Sequence, residues 1–331
     1  MPSSYPVAVT YLHDRFPGLE LGHVGLGTGP TPVRRLEGLI DGVDLWWKDE
    51  SRFGDGAWAG NKVRKLEWII PEAQRRGTRT LFTVGGIGTH WGLACARYGA
   101  EHGLSTVLGL VDQPVDDHVR EQLARLEASG ARLHRYRSPR QLKLAAPWLI
   151  ASNLHGGRLP WYLPAGGSNA FGSLGYVETA LELATQVRAG ELPEPATIVT
   201  AIGSGGTAAG LALGLRLAGL RTRVLGAVVN DAFGLDAPVI ARLAGRTADL
   251  LTRRGASGLP SVLAEDLTTS DAWLGRTYGD PTPASIAMVA RAGALGLELE
   301  PVYTGKSLAA IADLGKELEG PVLWLNTHGP R

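Results

Sequence analysis

Short apolar runs alternate with longer stretches of helical periodicity along most of the chain, and glycine-rich turns stand at the joints. TLFTVGGIGTHWGLACARYGAEHGLSTVLGLV, residues 80 to 111, reads as strand, glycine turn, helix of small residues and second strand. TIVTAIGSGGTAAGLALGLRLAGLRTRVLGAVV, 197 to 229, repeats the plan. Each is a βαβ unit, which builds parallel sheet covered by helices. Between them, VDDHVREQLARLEASG predicts a helix, ARLHRY a strand and PRQLKLAAPWLIASNLHG a second helix. WYLPAGGSNAFGSLGYVETALELATQV predicts a short strand, a turn and a helix capped by Ser168 or Asn169. Further helices are expected near 282 to 296 and 305 to 319, and GPVLWLN reads as a last strand. The fold class is α/β.

Glycine, 45 of 331 residues, is around twice its ordinary share of ~7%. Where it opens a helix it does more than turn the chain, because free N–H groups and the helix dipole converge there on an anion. Gly203, Ser204, Gly205, Gly206 and Thr207 form the best such cup, with two hydroxyls to add; the competing role is close strand-helix packing. No GxxxxGK[ST] loop is present, and Ala208 stands where a dinucleotide turn needs its third glycine. That argues against a nicotinamide oxidoreductase and for a ligand with one phosphate.

Such a ligand is held at a second point. GNKVRKLE, 60 to 67, follows the turn-like run GDGAWAG and opens a helix with three basic residues. A lysine that forms an imine with an aldehyde, set against a phosphate cup, suggests pyridoxal 5'-phosphate held at Lys62. Arg64, on another face, reads as solvated.

Charge narrows the partner. The 33 basic and 32 acidic residues nearly cancel without long runs of one sign, so neither nucleic acid nor an anionic membrane is indicated, and the partner is small. Cys95 is the only cysteine, which excludes an internal disulfide and a thiolate zinc site, and it reads as a buried helix residue. The N-terminal stretch lacks a targeting pattern and no apolar run approaches the ~18 residues of a spanning helix. A cytoplasmic, soluble protein is expected.

GNKVRKLE, VGGIGTHW, PAGGSNAFGSLGY, AIGSGGTAAGL, YGDPTP and PVYTGKS occur in the order and rough spacing of the 1-aminocyclopropane-1-carboxylate deaminase and D-cysteine desulfhydrase family, which the chain resembles from about 20 to 328. The resemblance implies a tryptophan-synthase-β-like pyridoxal phosphate enzyme acting on a small amino acid, and a homodimer. A large cofactor domain, 1 to 62 and 166 to 331, would enclose the site against a small domain, 63 to 165. It implies Lys62 as the Schiff-base lysine, the 203 to 207 cup as phosphate site and Lys65 as a second phosphate contact. Thr89 would stand for a substrate-contacting serine, and Tyr278 and Tyr303 would flank the substrate. Thr304 falls where the deaminases carry a glutamate and the desulfhydrases a threonine facing the pyridine nitrogen. A hydroxyl supports a protonated ring less than a carboxylate does, which favours β-elimination over ring opening.

The chain departs from the family after GGI, where Gly88, Thr89, His90 and Trp91 replace glutamine, serine, asparagine and glutamine. His90 then either takes the hydrogen bond to the cofactor's ring oxygen or exchanges protons. Trp91 implies altered side-chain selection, and His328 in NTHG has no assigned task. The expected reaction is elimination from D-cysteine to pyruvate, sulfide and ammonia, with Lys62 or a tyrosine taking the α-proton and Tyr278, Tyr303 or His90 assisting the leaving group. Opening of 1-aminocyclopropane-1-carboxylate to 2-oxobutanoate and ammonia, a related lyase of changed substrate, and a catalytically idle pyridoxal phosphate binder are the alternatives.

Overall fold

The computed structural model describes residues 10 to 54 and 60 to 327. His328 and most of the GDGAWAG run lie outside the described residues. In chain order the elements are α1 (Tyr11–Arg15), β1 (Val33–Arg35), β2 (Leu45–Asp49), α2 (Asn61–Arg75), β3 (Thr80–Gly86), α3 (His90–Glu101), β4 (Ser105–Val111), α4 (Asp117–Ala128), β5 (Arg132–Tyr136), α5 (Pro139–Ser152), β6 (Trp161–Leu163), α6 (Ala170–Arg188), β7 (Thr197–Ile202), α7 (Gly206–Ala218), β8 (Arg223–Val228), α8 (Ala237–Arg253), β9 (Leu267–Ser270), α9 (Pro283–Gly293), α10 (Thr304–Leu314) and β10 (Val322–Asn326). Among the described residues no helix is long and apolar enough to cross a membrane.

The strands form two sheets. The larger runs β1-β2-β10-β7-β8-β9, parallel except for β1, and the smaller runs β5-β4-β3-β6, parallel throughout. The two βαβ units read from sequence belong to different sheets, β3-α3-β4 to the smaller and β7-α7-β8 to the larger. Alternation along the strands fixes the layers. Ile198, Ile202, Leu323 and Leu325 join the core under α2, α6, α7 and α8, while Val199, Val322 and Trp324 pack with α9 and α10 on the opposite face. In the smaller sheet Leu108 and Leu110 pack with α3 and α4, and Phe82 and Val107 with α5.

The expected helices and the last strand are present, with adjusted ends. Asn169 is the residue that caps α6, its Oδ1 accepting from Gly172 N at 2.9 Å. Helix α10 stops at Leu314, where Gly315 breaks it into a short 3-10 turn ending at Glu317. Helix α8, unassigned in the sequence reading, buries Ile240, Ala244, Thr247 and Leu251 along one face. β9, Leu267-Thr-Thr-Ser270, is a polar edge strand with no apolar run to announce it. Cys95 is buried in α3, and burial pushes its thiol well above the usual range, so it is inert as expected.

The expectation that Arg64 is solvated is not met. Helix α2 lies against α6, which brings Glu182 to Arg64, and the segment after β2 brings Glu50. Arg64 is 4% exposed; its Nε donates to Glu50 Oε2 at 2.5 Å and its Nη2 to Glu182 Oε2 at 3.0 Å. Lys48, wholly buried on β2, donates to Glu182 Oε1 at 2.6 Å and to Gln186 Oε1 at 2.7 Å. Thr31 closes the group through its hydroxyl on Glu50 and its N–H on Glu182. Burial alone would raise the Glu182 carboxyl, but Arg64 and then Lys48 outweigh it and hold it below the usual carboxylate range. Replacing one partner strands the others without water. Glu182→Leu is therefore expected to lower unfolding stability in urea by about 3–5 kcal/mol, and a loss below about 1 kcal/mol, the size of a surface ion pair, would refute a buried, interdependent cluster.

Candidate active site

One cavity of about 1080 Å³ lies between the two sheets and is lined from both. The β7–α7 turn, Gly203 to Thr207, forms one wall, and the β3–α3 turn with Thr89 and His90 the other. Lys62 and Lys65 on the first turns of α2 also line it, with Tyr278 and Tyr303. Of the residues assigned from sequence, Thr304 alone is missing from its wall.

Lys62 is half-buried with no acid close enough to balance it, and burial pulls its ammonium down to about 8. A lysine so shifted supplies neutral amine near neutral pH, the form that attacks an aldehyde. Lys65, one turn further, is 1% exposed and lowered further still, by burial and then by Lys62. Its Nζ donates to Gly166 O at 2.8 Å and lies 6.0 Å from the Tyr176 ring centroid.

That bond ties Lys65 to the glycine cup indirectly. Gly166 belongs to the tight turn Ala165–Gly167, and Ser168 just after it shares a 2.8 Å hydrogen bond with the Ser204 hydroxyl and accepts from Gly206 N at 3.0 Å. The space around the cup requires glycine. A Cβ on Gly206 would come within 2.6 Å of Ser168 Oγ, and one on Gly203 within 2.9 Å of Tyr303 Cε1. The remaining first-turn N–H groups of α7 have no acceptor within their own helix, so the donors and dipole suit a phosphate. An amine-bearing lysine and an anion cup in the same cavity fit pyridoxal phosphate.

Tyr303 Oη donates to Tyr278 Oη at 3.0 Å, with the rings edge to face. Burial raises both phenols, Tyr303 well above its usual value, with Tyr278 adding to that shift. Neither is an effective base near neutrality. Asp231 holds the Tyr278 turn, accepting from Thr277 Oγ1 at 2.9 Å and Tyr278 N at 3.1 Å.

Thr89 caps α3, its hydroxyl accepting from Gly92 N at 3.2 Å while its own proton stays available. His90 opens the same helix. Its Nε2 lies 2.9 Å from Nε2 of His118 on α4, and the two rings stack at 5.0 Å. His118 escaped the sequence reading because it sits in an ordinary polar helix start with no local signature. Trp91 is 2% exposed, and its Nε1 donates to Thr83 Oγ1 at 2.8 Å, so its indole forms a fixed wall.

Thr304 is turned away from the cavity. Its hydroxyl donates to Glu300 O at 2.7 Å, and Glu300 Oε1 lies 3.1 Å from it and accepts from Thr304 N at 2.7 Å. Glu300 itself lines the cavity and was also missed, since the second glutamate of LELEP, just before VYTGK, has no distinguishing pattern in sequence.

Comparison with known proteins agrees with the cofactor that the cavity fits. A model of the family described as "Pyridoxal-phosphate dependent enzyme" matches residues 24–327. D-cysteine desulfhydrase of Klebsiella pneumoniae (strain 342) is 33% identical over 331 residues, covering 95% of this chain and 94% of the relative. The Yersinia enterocolitica D-cysteine desulfhydrase is 33% identical over 335 residues with the same coverage. A solved structure of an ACC deaminase homologue superposes with TM-score 0.79 and 28% identity, covering 96% of this chain and 93% of that one. O-ureido-L-serine synthase, at 19% identity and TM-score 0.60 over 98% of this chain and 92% of that one, shares the fold. The chain belongs to the family of pyridoxal-phosphate dependent enzymes.

Proposed function

We propose that the protein is a lyase that removes the β-substituent of a small amino acid, with D-cysteine giving pyruvate, sulfide and ammonia. The observation that carries this reading is the unbalanced, half-buried Lys62 facing a glycine cup and a pair of protonated tyrosines in one cavity. The D-cysteine desulfhydrase relatives supply the substrate.

Gly203, Ser204, Gly205, Gly206 and Thr207 would hold the phosphate, and Lys62 the aldehyde carbon. Lys65 would act on the phosphate through the Gly166 turn that it ties beside Ser204. Bound there, pyridoxal phosphate supplies an electron sink for the pair left at Cα. Lys62 would be the base, because its amine becomes neutral at a pH where both tyrosines keep their protons. Tyr303, donating to Tyr278, leaves the Tyr278 proton free to meet the departing sulfur. Thr89 would hold the substrate carboxylate with its free proton. His90, bonded to a second imidazole on the cavity wall, is assigned to proton exchange. Residues 63 to 165 would close over the cavity against 1 to 62 and 166 to 331, in a cytoplasmic homodimer.

Opening of 1-aminocyclopropane-1-carboxylate is the second reading, and Glu300 is what favours it. Its carboxylate beside Thr304 restores acidity to a wall that the threonine alone would lack. Assaying D-cysteine, L-cysteine and 1-aminocyclopropane-1-carboxylate for sulfide, ammonia and 2-oxo acid separates the two. Sulfide from D-cysteine is expected, and 2-oxobutanoate without sulfide would replace the first reading by the second.

Lys62→Ala should abolish both the visible cofactor absorbance and turnover, and survival of either would remove Lys62 from its role. The neutral amine accumulates as pH rises through about 8. Capture of added pyridoxal phosphate by the apoenzyme should therefore accelerate with a midpoint about there, whereas a midpoint near the ordinary lysine value of ~10.4 would contradict the lowered basicity.

A further inference from the structure

We propose that the cavity extends beyond the cofactor into a basic subsite for the substrate's side chain, built on α5. It would accept amino acids whose β-substituent is longer than a thiol and ends in an anion. This rests on the lyase reading above and specifies its substrate class.

Size is the first argument. About 1080 Å³ exceeds the ~300–1,000 Å³ of pockets that take drug-sized ligands. Pyridoxal phosphate at the cup and Lys62 would take one part of that volume, and a three-carbon amino acid beside it would not reach the part lined by α5.

The second argument is the shape of the extra space. Arg140, Lys143, Ala146 and Ile150 line the cavity, and their spacing of three, three and four residues puts them on one face of α5. Phe82 and Val84 of β3 line it as well, and both belong to the cluster that packs under α5. The result is an apolar passage with two cations toward the N-terminal end of α5. Arg137, just before the helix, adds a third.

Charge is the third. Among the described residues the side chains of Arg137, Arg140 and Lys143 have no acidic partner, whereas nearby Arg135 is paired with Asp112 at 2.5 Å. The other acids on the cavity wall are also engaged. Asp116 caps α4, Asp231 holds the Tyr278 turn, and Glu300 accepts from the first turn of α10. A ligand anion is the missing counter-charge, and exposed arginine and lysine can reach it with their charges while their stems cover apolar wall.

The chemistry is unchanged by a longer substituent. With a thioether, the Cα–H and Cβ–S bonds break, the Cβ–S pair leaves on sulfur, and sulfur takes up the proton. One water converts the three-carbon remainder to pyruvate and ammonium.

The test compares S-(2-carboxyethyl)cysteine with S-propylcysteine, in both configurations, on the holoenzyme. Released thiol and pyruvate give turnover, and titration calorimetry gives affinity. The carboxylate compound should be preferred about tenfold in kcat/KM and in Kd, the size expected of two or three partly exposed ion pairs. Arg140→Gln with Lys143→Gln should erase that preference, with retained visible absorbance showing a folded, loaded variant. Equal binding of the two compounds, or a preference that survives the double variant, would overturn the subsite. Sulfide from D-cysteine with neither thioether bound would overturn the subsite and leave the lyase reading standing. Tight, charge-dependent binding without turnover of any compound, D-cysteine included, would overturn the lyase reading and leave the subsite.

Discussion

The cavity depends on how α2 is set about its own axis, and one buried ion cluster sets it. Successive residues on a helix are rotated by roughly 100°, so Lys62 and Lys65 share a side while Arg64 points away from them. Arg64 is fixed between Glu50 and Glu182, with Lys48 and Thr31 completing the group. Turning the helix by one residue would bury an arginine without acids and leave two carboxylates facing Lys48 alone. That cost makes a single orientation dominant, and in it Lys62 and Lys65 face the cavity.

The same helix therefore carries buried cations of opposite kinds. Arg64 meets two carboxylates and stays charged. Lys62 meets none, and burial without compensation lowers its ammonium to about 8. Lys65 is lowered by burial and by its neighbour, and is held by a carbonyl instead of an acid. What divides structural from chemical cations here is where the acids that face α2 are, and these lie on the segment after β2 and on α6, away from Lys62 and Lys65.

Much of this was legible in sequence for a definite reason. Strand-turn-helix units announce themselves by apolar runs and glycine joints, so the α/β class and the placing of the glycine cup follow from local pattern. Lys62 became readable once the cup gave it a cofactor. The rest depends on partners far away in the chain. Glu182 lies 118 residues from Arg64 and His118 lies 28 from His90, and nothing in GNKVRKLE or GTHW specifies them. Thr304 shows what residue type at a position leaves undetermined. Its hydroxyl donates to the main chain of Glu300, a residue of the cavity wall that no pattern in sequence marks.

The glycine turns at the carboxyl ends of β3 and β7 open into the same cavity although their strands belong to different sheets. Parallel sheets generally place ligands at that edge. Here two such edges meet, which separates the demands on each turn. The β7–α7 turn is half-buried at Gly203 and Ser204, buried from Gly205 to Thr207, and tied down by Ser168, as a fixed phosphate would require. The β3–α3 turn and the start of α3 carry the residues that depart from the family pattern, Gly88, Thr89, His90 and Trp91. Variation there can alter what is held above the cofactor while the phosphate cup, made by another sheet, is undisturbed. The passage under α5 lies on the same side of the cavity as this second turn, so a change in side-chain preference needs only one of the two sheets.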